Sequence, residues 1–227
     1  MKLYHGSSRR IPAPIFGGGN SKNDYGLGFY CTEHFDLAAE WSCTKEQGGF
    51  VNQYELKEDS LNVFSLMGNE YHILHWLAIL LVNRSFQLDS PIKKAGWKYI
   101  TTYYMPDYDP ADVIVGYRAD DSYFAFANAF LSNAITLSQL NEAMKLGDLG
   151  RQVVLKSQKA FEALEFLDAV SVSKQIYYPK KKARDKAARA RFAEMQREYS
   201  INGLFLSDIM RKERREADEL IRCELFD

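Results

Sequence analysis

The pattern of hydrophobic and polar positions along the chain predicts short strands interleaved with helices. Segments that alternate, or that are rich in β-branched and aromatic residues, predict strands at 2–4, 50–57, 98–104, 112–117 and 151–157. Segments of helical character predict helices at 35–43, 70–83, 122–130 and 137–146, and favour another at 158–167 whose end is ambiguous. Asp36 is the expected cap of the first helix, and Gly147 is expected to close the fourth.

Two stretches stand apart from this pattern. Residues 9–28 contain two prolines and five glycines, which predicts a long loop of the kind that serves as a lid or ligand clamp. Past Pro179 the sequence is rich in Ala, Lys, Arg and Glu, which predicts an all-helical extension. Because strands and helices do not alternate regularly, we expect an α+β domain at 1–178 and a charged helical extension at 179–227.

Composition narrows the class of protein. The 227 residues are 46% hydrophobic, which is ample for a packed core, and the formal net charge of −1 leaves any nucleic-acid partner to a local patch. Three cysteines without a C-x-x-C spacing argue against a zinc site or a disulfide framework, and favour a reducing cytosol. The longest apolar run, 73–82, is too short to span a bilayer, and no signal-peptide pattern follows Met1. We therefore expect a soluble, cytoplasmic protein without a metal or a membrane partner.

The candidate chemistry begins with "LYHGSS" at 3–8 and continues with "GLGFY" at 26–30 and a helix that carries Trp41. Glycine allows a ligand amide to approach the backbone, where an N–H and a C=O can pair with it. A tyrosine or tryptophan ring offers a flat face for stacking, and a cationic ring gains cation–π attraction on it. No Walker loop is present, because the glycines at 17–19 lack the required lysine and hydroxyl, and no dinucleotide-binding G-x-G-x-x-G motif follows a strand.

These segments resemble the nicotinamide pocket of ADP-ribosyltransferases of the His–Tyr–Glu branch, which includes diphtheria-toxin-like and poly-ADP-ribose-polymerase-like enzymes. The resemblance implies a split β-sheet core and NAD as the ADP-ribose donor. It implies that His5 binds a ribose hydroxyl and that Tyr30 and Trp41 stack on nicotinamide, and it gives the cofactor-binding set His5, Gly6, Ser7, Gly28, Tyr30 and Trp41. Ala38 departs from the pattern, since polymerase-like members have there a serine that holds the carboxamide.

The third residue of the branch, a glutamate on a late strand, corresponds to Gln152 here, after a loop at 147–150. The catalytic set implied by the resemblance is thus His5, Tyr30 and Gln152. A glutamine can orient a ribose hydroxyl but cannot act as a general base. The expected reaction is therefore mono-ADP-ribosylation or NAD hydrolysis, and not chain elongation.

The layout of residues 3–167 is also similar to a bacterial family of predicted ADP-ribosyltransferase toxins. Besides the opening motifs, it shares Asp112–Gly116 followed by Ala119, Asp120 and Asp121, and a strand–helix segment at 152–160. This resemblance implies a toxin–antitoxin or phage-conflict protein that modifies a protein or a nucleic acid and has a cognate antitoxin protein. Two alternatives stay open, an NAD glycohydrolase and an inactive module that binds NAD or nucleic acid.

Other polar residues have simpler interpretations. His72 and His75 are expected to be satisfied core histidines, and Asp120 and Asp121 are expected to cap the helix that follows. Nothing near Cys31 in the sequence indicates a reactive thiol. The basic run 180–191 is ordinarily a solvated helical face, but it is also the best candidate for contacts with nucleic-acid phosphates.

Overall fold

The computed structural model describes residues 1–119, 121–146, 150–198 and 203–226. The chain forms two compact units that are both discontinuous in sequence. Unit 1 comprises residues 1–68, 107–118 and 149–184, and unit 2 comprises residues 69–106, 119–148 and 185–227. The boundary predicted at 178/179 falls inside unit 1.

Unit 1 is built on a mixed sheet. Its strands, in chain order, are β1 Lys2–Ser7, β2 Phe29–Thr32, β3 Gly49–Leu56, β4 Val63–Ser65, β5 Val113–Tyr117, β6 Arg151–Leu155 and β7 Leu164–Val172. They lie in the order β4-β5-β6-β2-β1-β3-β7. β4 and β5 are parallel and the other neighbouring pairs are antiparallel.

Helices complete both units. Within the described residues they are α1 Phe35–Ser42, α2 Ile73–Asn83, α3 Pro91–Tyr103, α4 Asp121–Leu131, α5 Leu137–Ala143, α6 Gln158–Glu162, α7 Lys174–Met195, α8 Leu206–Arg211 and α9 Arg214–Phe226. Sheet and helices together confirm the α+β class. In the described parts of the chain, no helix combines the length and apolar content needed to cross a membrane.

The central strands of unit 1 bury both faces because successive side chains point to opposite sides of a sheet. One face carries Leu3, Cys31 and Val153 in a hydrophobic cluster that includes Ala160 of α6. The opposite face packs against α1, and its cluster includes Val51 of β3 together with helix residues such as Ala38 and Ala39. The sheet is therefore a central layer whose two faces can present different chemistry.

Unit 2 begins with α2, whose apolar residues are nearly all buried. Both expected core histidines have structural partners at its start. The Leu74 N–H donates to Nδ1 of His72, and the His72 N–H donates to Nδ1 of His75. Burial, with the neighbouring His75, Arg214 and Arg222 charges, lowers the pKa of His72 to about 3. The pair thus caps a helix, as the interpretation of these residues as structural requires.

Several predicted elements are confirmed and others are wrong. The helix at 35–43, the strand at 50–57 and the strands at 112–117 and 151–157 have counterparts in α1, β3, β5 and β6. Residues 98–104 were predicted as a strand, but 98–103 lie in α3 and Tyr104 is its C-cap. Ser90 accepts a hydrogen bond from the Lys93 N–H, and Pro91 occupies the first turn, so this helix starts strongly and continues through β-favouring residues.

Tertiary pairing explains the other differences. The helix predicted at 158–167 ends at Glu162, and the residues after it form β7, which pairs with β3 from Leu56 to Gly49. β4, which has only three residues, was not predicted. The first strand continues through His5 to Ser7 because it pairs with β3 along its whole length.

The predicted caps and the long loop can also be compared with the structure. The N-cap of α1 is His34, and Asp36 lies instead in the first turn, where a carboxylate favours the helix dipole. The structure has neither helix nor strand in the long loop, residues 9–28, as predicted. Gly147 and the rest of the 147–149 segment lie outside the described residues, as does Asp120.

The basic run lies in α7, which continues through Pro179. Several of its cations have acidic partners. Arg184 forms a bidentate pair with buried Glu40, and Arg189 pairs with Asp185. The paired cations are partly neutralised, which lowers the positive charge that this face can offer to a phosphate backbone.

Candidate functional site

The predicted pair His5 and Tyr30 lies where strands β1 and β2 separate. Within these two strands, pairing is found at Tyr4 opposite Thr32. Beyond it, the His5 side chain spans the gap, with Nδ1 2.7 Å from the Tyr30 carbonyl oxygen. The two motifs, which are 25 residues apart in sequence, are thereby joined by a direct hydrogen bond.

This hydrogen bond fixes the chemical state of His5. A carbonyl oxygen only accepts, so Nδ1 carries the proton and Nε2 of the neutral ring keeps a lone pair. Burial lowers the pKa of His5 below its usual 6.5, against the opposing effect of the bond to Tyr30. The ring also stacks on Phe29, with ring centroids 4.3 Å apart. His5 is thus a neutral, oriented hydrogen-bond acceptor near neutral pH.

A cavity of about 560 Å³ opens beside this pair. It is lined by His5, Gly28, Phe29, Tyr30, Phe161 and many residues of the long loop. Arg9 and Arg10 are among the lining residues, and the described lining contains no carboxylate. The volume falls in the range of small-molecule sites, and the charge favours an anionic ligand with apolar or aromatic parts.

The long loop is held at both ends, which gives the cavity a defined wall. Near its start, the Asn52 side chain accepts a hydrogen bond from the Ile11 N–H at 2.7 Å. Near its end, Lys156 Nζ donates to the carbonyl oxygens of Tyr25 and Leu27, each at 2.6 Å. The residues between these anchors supply part of the cavity lining, from Pro12 to Asn23.

Tyr30 uses its hydroxyl inside the protein. The hydroxyl donates to the Gly26 carbonyl oxygen at 2.5 Å and accepts from the Tyr25 N–H at 3.1 Å. The phenol therefore holds the end of the long loop. Gly28 is needed nearby, because a Cβ there would lie 2.6 Å from Val154 Cγ1.

Gly6 is required by packing against α1. A Cβ on Gly6 would lie 2.0 Å from the Ala38 carbonyl oxygen and 2.9 Å from the Ser42 backbone nitrogen. From the sequence, this glycine was predicted to make room for a ligand amide, but the close approach of the helix is a sufficient reason for it. Ser7, at the end of β1, accepts a hydrogen bond from the Arg9 N–H.

Gln152 and Trp41 belong to a second group of residues on the face covered by α1. Gln152 lies on β6 between Thr32 of β2 and Gly116 of β5, and strand alternation places its side chain opposite Val153 and the apolar cluster. It is 5% exposed. Its Oε1 atom is buried and has no hydrogen-bond partner among the described residues. A buried acceptor without a partner lowers the stability of the fold unless a ligand or a water molecule donates a hydrogen bond to it.

The Trp41 ring is covered on one face by the guanidinium of Arg118, whose Cζ lies 3.6 Å from the ring centroid. Arg118, which follows β5 directly, was missed by the sequence analysis. The one available signal was its position in the 112–121 segment, between Gly116 and Ala119.

The structure therefore divides the predicted site residues between two places. His5, Gly28 and Tyr30 line the cavity. Gly6, Ser7, Trp41 and Gln152 lie outside its described lining, and the Gln152 and Tyr30 side chains leave the sheet on the face opposite His5. The diverging ends of β1 and β2 are the point at which the two places meet.

Other candidate residues do not join the site. Burial raises the pKa of the Cys31 thiol, so this cysteine is a poor nucleophile. Within the described ranges, no group of three or more His, Cys, Asp or Glu side chains is arranged to hold a metal ion. The cap proposed at Asp120 lies outside the described residues.

Comparison with known proteins gives one match. The model of a family described as a protein of unknown function (DUF3990) matches residues 1–166, which include every predicted site residue. No curated protein and no solved structure matches significantly. The matched segment covers well over half of the chain and ends before α7.

Proposed function

We propose that this chain, which belongs to the DUF3990 family, is an NAD-dependent mono-ADP-ribosyltransferase that modifies a protein or a nucleic acid. The observation that carries the proposal is the contact between His5 and Tyr30 where β1 and β2 diverge. In the proposed enzyme this divergence is the opening of a split-sheet, ADP-ribosyltransferase-type fold. We further propose a cytoplasmic toxin with a cognate antitoxin protein.

The cavity supports a dinucleotide as the substrate. NAD combines a negatively charged diphosphate with two flat ring systems, and the cavity combines two arginines with aromatic walls. The proposed ligand passes from this cavity, past the diverging ends of β1 and β2, to the face that carries Gln152 and Trp41. A molecule with two ring systems on one linker has the chemistry to contact both groups.

The proposed roles follow from the chemical state of each side chain. His5 Nε2 accepts a hydrogen bond from a ribose hydroxyl, because Nδ1 is already committed to the Tyr30 carbonyl oxygen. The buried Gln152 Oε1, which needs a donor, accepts a hydrogen bond from a hydroxyl of the ribose attached to nicotinamide. Tyr30 supplies a ring face beside the nicotinamide.

The proposed reaction breaks the bond between ribose C1′ and the nicotinamide nitrogen. Nicotinamide leaves with the electron pair of that bond, and a nucleophile of the acceptor forms the new bond to C1′ and releases its proton. Gln152 has no charge and cannot accept that proton, so activation of a ribose hydroxyl for chain growth is not part of the proposal. Transfer to water by the same site would make the protein an NAD glycohydrolase.

The test uses NAD labelled in the adenosine part, cell lysate as the source of acceptors, and separate analysis of protein and nucleic acid. We expect label on a macromolecule and release of nicotinamide. His5→Ala should lower turnover by about 100-fold or more, the usual size of a lost transition-state hydrogen bond in a positioned site. His34→Ala is the matched control, because His34 is exposed and its side chain makes no capping bond.

The outcomes separate the candidate functions. Nicotinamide release without labelled macromolecule would identify the glycohydrolase. No release from the folded wild-type protein would contradict both activities and favour a binding module. Equal turnover by wild type and by His5→Ala, with unchanged circular dichroism, would show that the His5–Tyr30 contact is not part of an active site.

A further inference from the structure

Arg118 occupies one face of Trp41 as an internal ligand. The guanidinium carbon lies 3.6 Å from the centroid of the Trp41 ring, well inside the roughly 6 Å limit for a cation–π contact. Both residues belong to unit 1, and both are partly exposed. A guanidinium is flat and cationic, so it can stack on an indole face in the way that another flat cation does.

The strand geometry explains why this arginine reaches Trp41. Gly116 pairs with Gln152 and shares its face of the sheet, and Arg118, two residues later, follows the same alternation. That face is the one covered by α1, which carries Trp41. Arg118, Trp41 and Gln152 are therefore gathered on one side of unit 1 by β5, α1 and β6.

We propose that Arg118 gates the Trp41 face, so that a flat pyridinium ring binds there only by displacing the guanidinium. This inference rests on the proposed function in naming nicotinamide as the ring, but the gate itself can be tested without any reaction. Displacement removes the cation–π contact of Arg118 with Trp41, and a cationic ring replaces it with another. The gate thus weakens ring binding by at least the value of the contact that Arg118 loses.

The test measures how a pyridinium probe quenches tryptophan fluorescence. The probe is 1-methylnicotinamide, a cationic ring with the carboxamide but without a ribose, so no transfer can follow. Each form of the protein is measured with and without Trp41→Phe, and the difference isolates the signal of Trp41 from the other two tryptophans, Trp76 and Trp97. Arg118→Met keeps most of the apolar stem and removes the flat cation.

We expect Arg118→Met to lower the probe concentration for half-maximal quenching of Trp41 by about 2-fold or more, since a cation–π contact is worth at least about 0.5 kcal/mol. Arg84→Met is the matched control, because Arg84 stacks on a different ring, Phe124, at 4.6 Å. It should leave the Trp41 signal unchanged. Equal quenching in wild type and Arg118→Met would overturn the gate.

Two further measurements test the gate. If Arg118→Met does not fold, Arg118→Gln provides the same comparison, and folding is checked by circular dichroism. In NAD turnover, removal of the gate should lower KM by the same factor and leave kcat unchanged, and a raised KM would contradict the gate. If no form turns over NAD while quenching behaves as expected, the proposed function fails and the gate stands.

Discussion

Gly6→Ala gives the sharpest test of the packing between β1 and α1. The added Cβ would lie 2.0 Å from the Ala38 carbonyl oxygen, far inside the roughly 3.5 Å separation of non-bonded heavy atoms. The Ser42 backbone nitrogen would lie at 2.9 Å. Because both neighbours belong to the backbone of α1, no side chain can rotate away. The helix must move by about 1.5 Å for the methyl group to fit.

The expected cost follows from this overlap. Overpacking costs about 1–3 kcal/mol, and a clash with backbone on two sides belongs at or above the upper end. At about 3 kcal/mol, the melting temperature of a chain of this length falls by about 6–12 °C. The loss should be visible in thermal unfolding followed by circular dichroism.

Gly17→Ala is the control for the effect of the added methyl group by itself. Gly17 has φ +77°, and a Cβ there would meet nothing within 4 Å, so the cost is the strained backbone alone, about 1 kcal/mol. A Gly6→Ala protein that melts within about 2 °C of wild type, less than 1 kcal/mol, would refute the packing argument. If that stable variant had also lost NAD turnover, Gly6 would instead be needed for a ligand.

Two further predictions concern charge. Arg184→Ala leaves Glu40, which is 3% exposed, without its bidentate partner, and should lower the free energy of unfolding in urea by about 3–5 kcal/mol. Arg189→Ala removes an exposed ion pair and should cost under about 1 kcal/mol. Equal effects of the two substitutions would show that the burial of Glu40 does not matter. Because the pKa of His72 is lowered from 6.5 to about 3, its contribution to stability is complete above pH 6.5 and is lost as the pH falls toward 3. His72→Asn should therefore reduce the fall in melting temperature between about pH 7 and 5, and an unchanged fall would show that His72 does not contribute to it.

Local patterns were sufficient to predict the elements that depend mainly on their own residues. The buried apolar run of α2 and the alternating residues of β3 carry their periodicity in the sequence. The end of α3 was predicted as a strand because it contains β-favouring residues. The helix forms there because Ser90 and Pro91 start it strongly and it continues through that segment. β7 was missed because its stability comes from pairing with β3, more than a hundred residues earlier, and no local pattern records that pairing.

The candidate site shows the same limit. His5 and Tyr30 could be named from the sequence because each lies in a short motif with its own glycines. Arg118 could not be named from the sequence, because only the fold, through β5 and α1, brings it to its partner Trp41. An arginine that follows a strand has no distinctive spacing. Gln152 was named from a resemblance, and only the fold shows that its Oε1 is buried without a described partner.

The two faces of the sheet explain why His5 and Tyr30 come from different strands. A side chain on one strand can serve only one face, so a ligand contacted on both faces needs residues from strands that separate along its path. β1 and β2 separate next to the Tyr4–Thr32 pair, and His5 spans the gap to the Tyr30 backbone without filling it with a side-chain pair. Gly6 then lets α1 close over the second face. His5, Gly6 and Tyr30 thus shape one opening together, although Tyr30 lies far from the other two in the sequence.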